Sequence, residues 1–353
     1  MASIPQVAKA LRTVLTRVAT RAAHTTGFGQ RRSKLSGAKF VQTLVFGWLA
    51  NPQATYEELT QTAATLGVRL SPQGLEQRFT AQAAQCVARV LQAAVQQVSA
   101  AAPVAIPLLQ RFTAIYIQDS TQVQLPAVLA ELWAGSGGGA RAEDQTAALK
   151  LQGRLDLKRG ELTGPFLQAG RASARTSPTQ HAPVPAGSLR LADLGYFALD
   201  VLQTSAQRPA YWLTRLMAGT QVSDPPGHPQ ALAACLASHG PAVIDLAVCL
   251  GGSHRLPCRL VAVRVSQEVA NQRRHRLHRD ARRRGPAVSQ ERLRLADWTL
   301  CCTNVPPALL SGEAVLVVAR VRWQSERRVK VWKRAGHLAH SRSTKPWRVL
   351  GEV

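Results

Sequence analysis

Residues Ala319-Arg-Val-Arg322-Trp-Gln-Ser-Glu326-Arg-Arg-Val-Lys330-Val-Trp-Lys333 set one carboxylate inside a dense basic stretch. On a helix, positions 319, 322, 326, 330 and 333 share one stripe, because spacings of 3, 4, 4 and 3 follow the 3.6-residue turn. That stripe suits a metal ion bound next to a phosphodiester: the carboxylate holds the ion and the cations hold the strand. A solvated, salt-bridged surface helix satisfies the same pattern, since Glu to Lys at i,i+4 is common on surfaces. Two further carboxylates stand out by context. Asp119 ends the β-rich run Phe112-Thr-Ala-Ile115-Tyr-Ile117-Gln-Asp119, and Asp193 ends Leu189-Arg-Leu-Ala192-Asp193, just before Leu194-Gly195. A carboxylate at the end of an apolar strand is costly to bury without a partner, and a divalent cation meets that need. Two strands and a packed helix can bring three carboxylates to one point. Mg²⁺ favours such oxygen ligands, and a pair of ions roughly 3.5–4 Å apart can activate water or a 3′-hydroxyl and stabilise the leaving oxygen. A turn at Asp119 before Ser-Thr, and a helix cap at Asp193, are the alternative roles.

The elements that must position these residues are legible in outline. Phe40, Val41, Leu44, Val45, Trp48 and Leu49 fall at helical spacing over residues 38–50, and Asn51-Pro52 stops that helix. Thr55-Tyr-Glu-Glu58 is a capping box that opens a second helix, which Gly67 ends. Ser71-Pro72 predicts the start of a long third helix reaching residue 99. A helix-turn-helix and a plain helical bundle both accommodate this succession. From residue 112 the pattern turns to strands: 112–121, 147–157 with a turn at Lys158-Arg-Gly160, 161–169, 189–193 and 211–216. Residues 170–187 read as irregular. Residues 218–295 mix Pro/Gly turns, short apolar runs and the basic run Arg273–Arg284. Strand character returns at Trp298–Asn304, and Pro306-Pro307 precede the helix assigned to Glu326.

The totals bound the partner. The chain has 353 residues, enough for two or three domains. Its 44 Lys and Arg against 20 Asp and Glu give a formal charge of +24. Such a charge repels itself unless the partner is polyanionic, and nucleic acid fits by phosphate neutralisation and counterion release. An anionic membrane surface is the other candidate, but no run of 18 apolar residues occurs and no transmembrane helix is expected. The first acidic residue is Glu57. The Arg-rich start before it fits an organelle transit peptide or a basic arm lying on DNA, and the rest of the chain favours the arm. No secretory signal is expected. Six cysteines without CxxC spacing read as reduced core thiols. The pairs His275/His278 and His337/His340 read as surface residues rather than metal ligands.

The ordered set IYIQDST, LADLGYF and RWQSERRVKVWK resembles the bacterial insertion-sequence DDE transposases of the IS-four group. The resemblance runs from about Lys34 to the end. It implies an α/β fold: an RNase H-like mixed sheet flanked by helices, with an N-terminal helical domain and a β-rich insertion. It implies Asp119, Asp193 and Glu326 as the catalytic metal ligands, with Mg²⁺ (or Mn²⁺) as cofactor. Arg322 and Lys333 match the family's Tyr-x2-Arg-x3-Glu-x6-Lys signature, and Lys330 shares their face; these cations would grip phosphates near the transposon end. Trp298 resembles the family Trp that stacks on a flipped base, with core packing as the other role, and Arg273 and Arg274 head a basic run expected to contact DNA. The expected division is 1–108 helical and DNA-binding with a basic N-terminal arm, 109–217 the first part of the catalytic core, 218–295 the insertion, 296–340 the second part of the core, and 341–353 a short, truncated tail.

The activity implied is Mg²⁺-dependent cleavage and strand transfer at insertion-sequence ends. The partners are double-stranded DNA (terminal inverted repeats and target) and a second copy in the synaptic complex, with no membrane, in the bacterial cytoplasm at the nucleoid. Ala319 stands at the signature Tyr, and the chain ends soon after Trp347. These two departures make a truncated, catalytically impaired DNA-binding remnant the alternative. A junction-cleaving RNase H-like nuclease is a third reading, disfavoured by the separation of 133 positions from Asp193 to Glu326.

Overall fold

A computed structural model describes residues 4–29, 33–98, 107–136, 146–239, 243–284, 287–320 and 339–353. The chain divides into two units. One comprises Met1–Val104, Ser120–Ser173 and Glu326–Val353; the other comprises Ala105–Asp119 and Ala174–Ser325.

The first unit opens with helices α1 (Ile4–Thr13) and α2 (Ala19–Thr25), joined by a π-helical turn over Val14–Val18. The basic start is therefore helical, and its apolar side, Val14, Leu15, Ala19, Ala22 and Ala23, is buried in the core of the bundle. Helix α3 (Gly37–Ala50) starts at Ser36, whose side chain accepts from the Lys39 N–H at 3.3 Å. It packs close to α2: a Cβ on Gly37 would lie 2.1 Å from that of Ala23. Helix α4 (Tyr56–Thr65) carries the expected capping box, with Thr55 N–H donating to Glu58 at 2.7 Å. It ends at Gly67, whose φ of +81° is open to glycine at little cost.

The single long helix expected after Ser71 is two: α5 (Pro72–Glu76) and α6 (Ala81–Val98). The break comes from Thr80, whose hydroxyl accepts from the Ala83 N–H at 3.2 Å and starts a new helix. Phe40, Phe79, Tyr56 and Trp48 meet edge-on or tilted around this break, with ring centroids 5.6–6.4 Å apart.

Strand β1 (Ile115–Leu125) is shared by the two units. It continues six residues beyond Asp119, so that aspartate lies within the strand rather than at its end. Alternating burial at Val123 and Leu125 shows why: the second half packs on the core formed with β2 (Ala147–Asp156). In the first unit the hydrogen-bonded order is β3-β2-β1, with β3 (Leu162–Ala169) antiparallel to β2. Gln124 exchanges backbone bonds with Ala339 and Ser341 at 3.0 and 2.9 Å.

The second unit continues with α7 (Pro178–His181), β4 (Leu189–Ala192), α8 (Leu199–Gln207), β5 (Tyr211–Arg215) and β6 (Val222–Ser223). Then follow α9 (Leu232–Ala237), β7 (Ile244–Leu250), β8 (Leu256–Arg264), α10 (Gln267–Arg284), α11 (Gln290–Leu295), β9 (Trp298–Thr303) and α12, whose described part is 312–320. Its sheet order is β1-β4-β5-β9-β8-β7-β6. The first three are parallel, and each later pair is antiparallel. The succession β3-β2-β1 with parallel β1, β4 and β5 is the RNase H-like mixed sheet implied by the resemblance. Among the described residues, 218–295 supply three strands that lengthen this sheet through β9, together with three helices. The final helix, α13 (Pro346–Glu352), belongs to the first unit and buries Val349 completely.

Candidate catalytic site

Strands β1 and β4 pair in parallel with Ile115 opposite Leu189, Tyr116 opposite Arg190 and Ile117 opposite Leu191. Carried two residues further, the same register sets Asp119 opposite Asp193. The backbone of Asp193 is still extended there, with φ −82° and ψ 165°, before the 3₁₀ turn Leu194–Tyr196 begins. Side chains two apart on a strand share a face, so both aspartates continue the face of buried Ile117 and Leu191. Two carboxylates thus leave the carboxyl ends of adjacent parallel pairings, both partly exposed. Glu326, Arg322, Lys330 and Lys333 lie outside the described residues. Among the described residues, no three His, Cys, Asp or Glu side chains gather as a metal site.

A buried polar cluster holds the two strands at this end. Gln118 on β1 donates to the Thr179 carbonyl at 2.7 Å. Arg190 on β4 donates to the Gln180 carbonyl at 2.9 Å, and Gln180 in turn donates to the Tyr196 carbonyl at 2.7 Å, in the turn that follows Asp193. All three side chains are buried. The short helix α7 therefore ties β1, β4 and the turn after Asp193 together. Residues 170–187, irregular by composition, thus contain this helix, whose sequence signal is the Ser177 cap followed by Pro178.

Beside Ala192 lies a cavity of about 440 Å³. Its floor is apolar (Leu213, Val263, Leu316, Ala319), and Arg215, Arg264, Arg273 and Arg320 contribute cations to its wall. Arg273 donates to the Trp298 carbonyl at 2.7 Å and to Thr299 Oγ1 at 3.0 Å. Burial, followed by repulsion from Arg215, lowers its pKa. Arg274 donates to the Leu293 carbonyl at 3.3 Å and pairs with Asp297. Both guanidinium groups are thus engaged within the unit. Trp298 is 7% exposed and packs in the core with Leu260, Ala262 and Cys302; the Arg264 guanidinium lies 5.9 Å from its ring centre. Its ring is core.

The cysteines are all free thiols, five of the six buried. No helix among the described residues is long and apolar enough to cross a membrane.

Residues 110–353 match the family model described as "Transposase DDE domain". The chain is 25% identical over 346 residues to the transposase for insertion sequence element IS231B of Bacillus thuringiensis subsp. berliner, covering 92% of this chain and 71% of that protein. It is 26% identical over 345 residues to the IS231F transposase of Bacillus thuringiensis subsp. israelensis, covering 91% and 71%. Against the IS1151 transposase of Clostridium perfringens it is 22% identical over 245 residues, covering 63% and 50%. Neither the fold nor these likenesses favours the remnant reading. The chain belongs to the transposase DDE-domain family and, with it, to the DNA-processing enzymes of insertion sequences.

Proposed function

We propose that this transposase cleaves and joins DNA at the ends of its element through Asp119, Asp193 and Glu326. The observation that carries this reading is the parallel register of β1 with β4, which, carried two residues on, sets Asp119 opposite Asp193. Two carboxylates so placed are hard oxygen donors, the donor chemistry that Mg²⁺ or Mn²⁺ takes. Glu326 enters as third ligand through the resemblance. When bound, the ions would supply charge neutralisation at the scissile phosphate and acidify the attacking hydroxyl. The chain's own part is to hold the carboxylates fixed, through the cluster of Gln118, Gln180 and Arg190, and to hold the strand. The arginine-walled cavity beside Ala192 suits a sugar-phosphate strand, polar outside and apolar at its bases. Arg322, Lys330 and Lys333 are assigned to phosphates by the resemblance. Of the residues expected to contact DNA, Arg273 lines that cavity and could meet the strand there, whereas Arg274 pairs with Asp297 and Trp298 packs in the core, so both would act by supporting the fold around it. The helices of the first unit would read the terminal repeats, in a synaptic pair of copies at the bacterial nucleoid.

The test is cleavage of a labelled repeat-ended duplex with Mg²⁺ or Mn²⁺. Asp119→Asn, Asp193→Asn and Glu326→Gln should each lower the rate by more than roughly 100-fold, the upper end for losing a mere outer-shell partner. Thermal stability should hold. Cleavage that survives any of these substitutions removes that residue from the site.

A further inference from the structure

Helix α10 carries seven arginines and two acidic residues over Gln267–Arg284, and the fold sorts the five arginine side chains that are described onto two faces. One face is anchored. Ala270 is buried, Leu277 and Ala281 are half-buried, and Arg273 and Arg274 spend their guanidinium groups on Trp298, Thr299, Leu293 and Asp297. The other face is open. Arg276, Arg279 and Arg282 are exposed, as are His275 and His278 between them. None of these three arginines makes a hydrogen bond or ion pair with a described residue. Glu268 and Asp280 are the only acids on the helix, and Glu268 sits at its far amino end.

We infer that the outer face of α10 is a binding surface for the backbone of duplex DNA, separate from the cavity beside Ala192. Three cations at i, i+3 and i+6 span about 9 Å of helix. Held there by two inner arginines, they form a rigid row rather than a flexible tail, so little ordering is lost on binding. The face has no apolar patch with which to enter a bilayer; Val269 is the one exposed large hydrophobic side chain on the described part of the helix. Its chemistry is that of phosphate contact without base reading, and it would hold DNA of any sequence. The inference rests on the transposase reading for the identity of the polyanion.

The experiment measures binding of the full chain to a repeat-free duplex across a salt series. The combined variant Arg276→Gln, Arg279→Gln, Arg282→Gln should reduce the slope of log affinity against log salt by about 2.7, at about 0.9 per lost phosphate contact. The matching Arg→Lys variant should keep the slope. Thermal unfolding of both should match the parent, since the open face packs against nothing described. An unchanged slope overturns the inference. So does loss of binding to anionic phospholipid vesicles with an unchanged DNA slope, which would make the face a membrane surface. Cleavage of a repeat-ended duplex by the parent, abolished by Asp119→Asn, is scored separately. If it persists while the slope is unmoved, the inference fails and the transposase reading stands.

Discussion

At the residue scale, the aspartates depend on side chains that do no chemistry. Gln180 is buried and bridges β4 to the turn after Asp193. Gln180→Ala leaves the Tyr196 carbonyl without that donor, a loss of about 1–3 kcal/mol. The expected result is a lower Tm and a slower cleavage rate at unchanged affinity for DNA; an unchanged rate in the folded variant would exclude a positioning role. Cys86 gives a second prediction. It is buried in the helical bundle, and burial raises its thiol from 9.0 to about 11. Between those values the unfolded chain releases a proton that the folded chain keeps. The contribution is therefore fully present below pH 9.0 and is lost as pH rises towards about 11. Denaturant midpoints of Cys86→Ala should fall less steeply with pH than the parent's across that window, and parallel curves would contradict this.

Elements owe their places to a few polar anchors. Helix α13 docks on the bundle through Arg348, which lies 4.3 Å from the Tyr56 ring centre, donates to the Ala54 carbonyl at 2.6 Å and pairs with Glu352 at 2.8 Å. The exposed Lys345–Glu76 pair at 3.6 Å adds little by comparison. Arg348→Ala removes a cation–π contact and a charged hydrogen bond, for a loss of about 2–3 kcal/mol. Chemical denaturation should register that loss, whereas Lys345→Ala should leave the midpoint nearly unmoved. Within the tail expected over 341–353, residues Pro346–Glu352 form a helix tied to a residue 294 positions earlier.

On the scale of the whole molecule, charge dominates. A formal +24 on 353 residues predicts that a duplex of any sequence would be bound with heavy counterion release. A protein meeting roughly 6–10 phosphates loses about 10³–10⁵ in affinity between about 50 and 200 mM salt. A loss of that order is expected here for repeat-free DNA, by fluorescence anisotropy. A nearly flat salt response would mean that the cations are spent within the protein, as those of Arg259, Arg273 and Arg274 are.

Caps, turns and alternation act over three or four residues, so the capping box at Thr55, the glycine stop at Gly67 and the strands β1 to β5 and β9 are legible in the chain alone, whereas β6, β7 and β8 are not. The charge is legible too, and the ordered motifs point to the family that the comparisons bear out. What the tertiary structure alone decided are the pairings between distant residues. Nothing in the spacing of Gln118 and Thr179, 61 positions apart, announces their bond. The β-run whose sequence pattern ends at Asp119 continues because Val123 and Leu125 find a core elsewhere in the chain. A row of arginines reads the same whether a carbonyl or water receives each one. Only folding, by giving Arg273 and Arg274 acceptors within the protein and Arg276, Arg279 and Arg282 none among the described residues, divides the row into an anchor and an open surface.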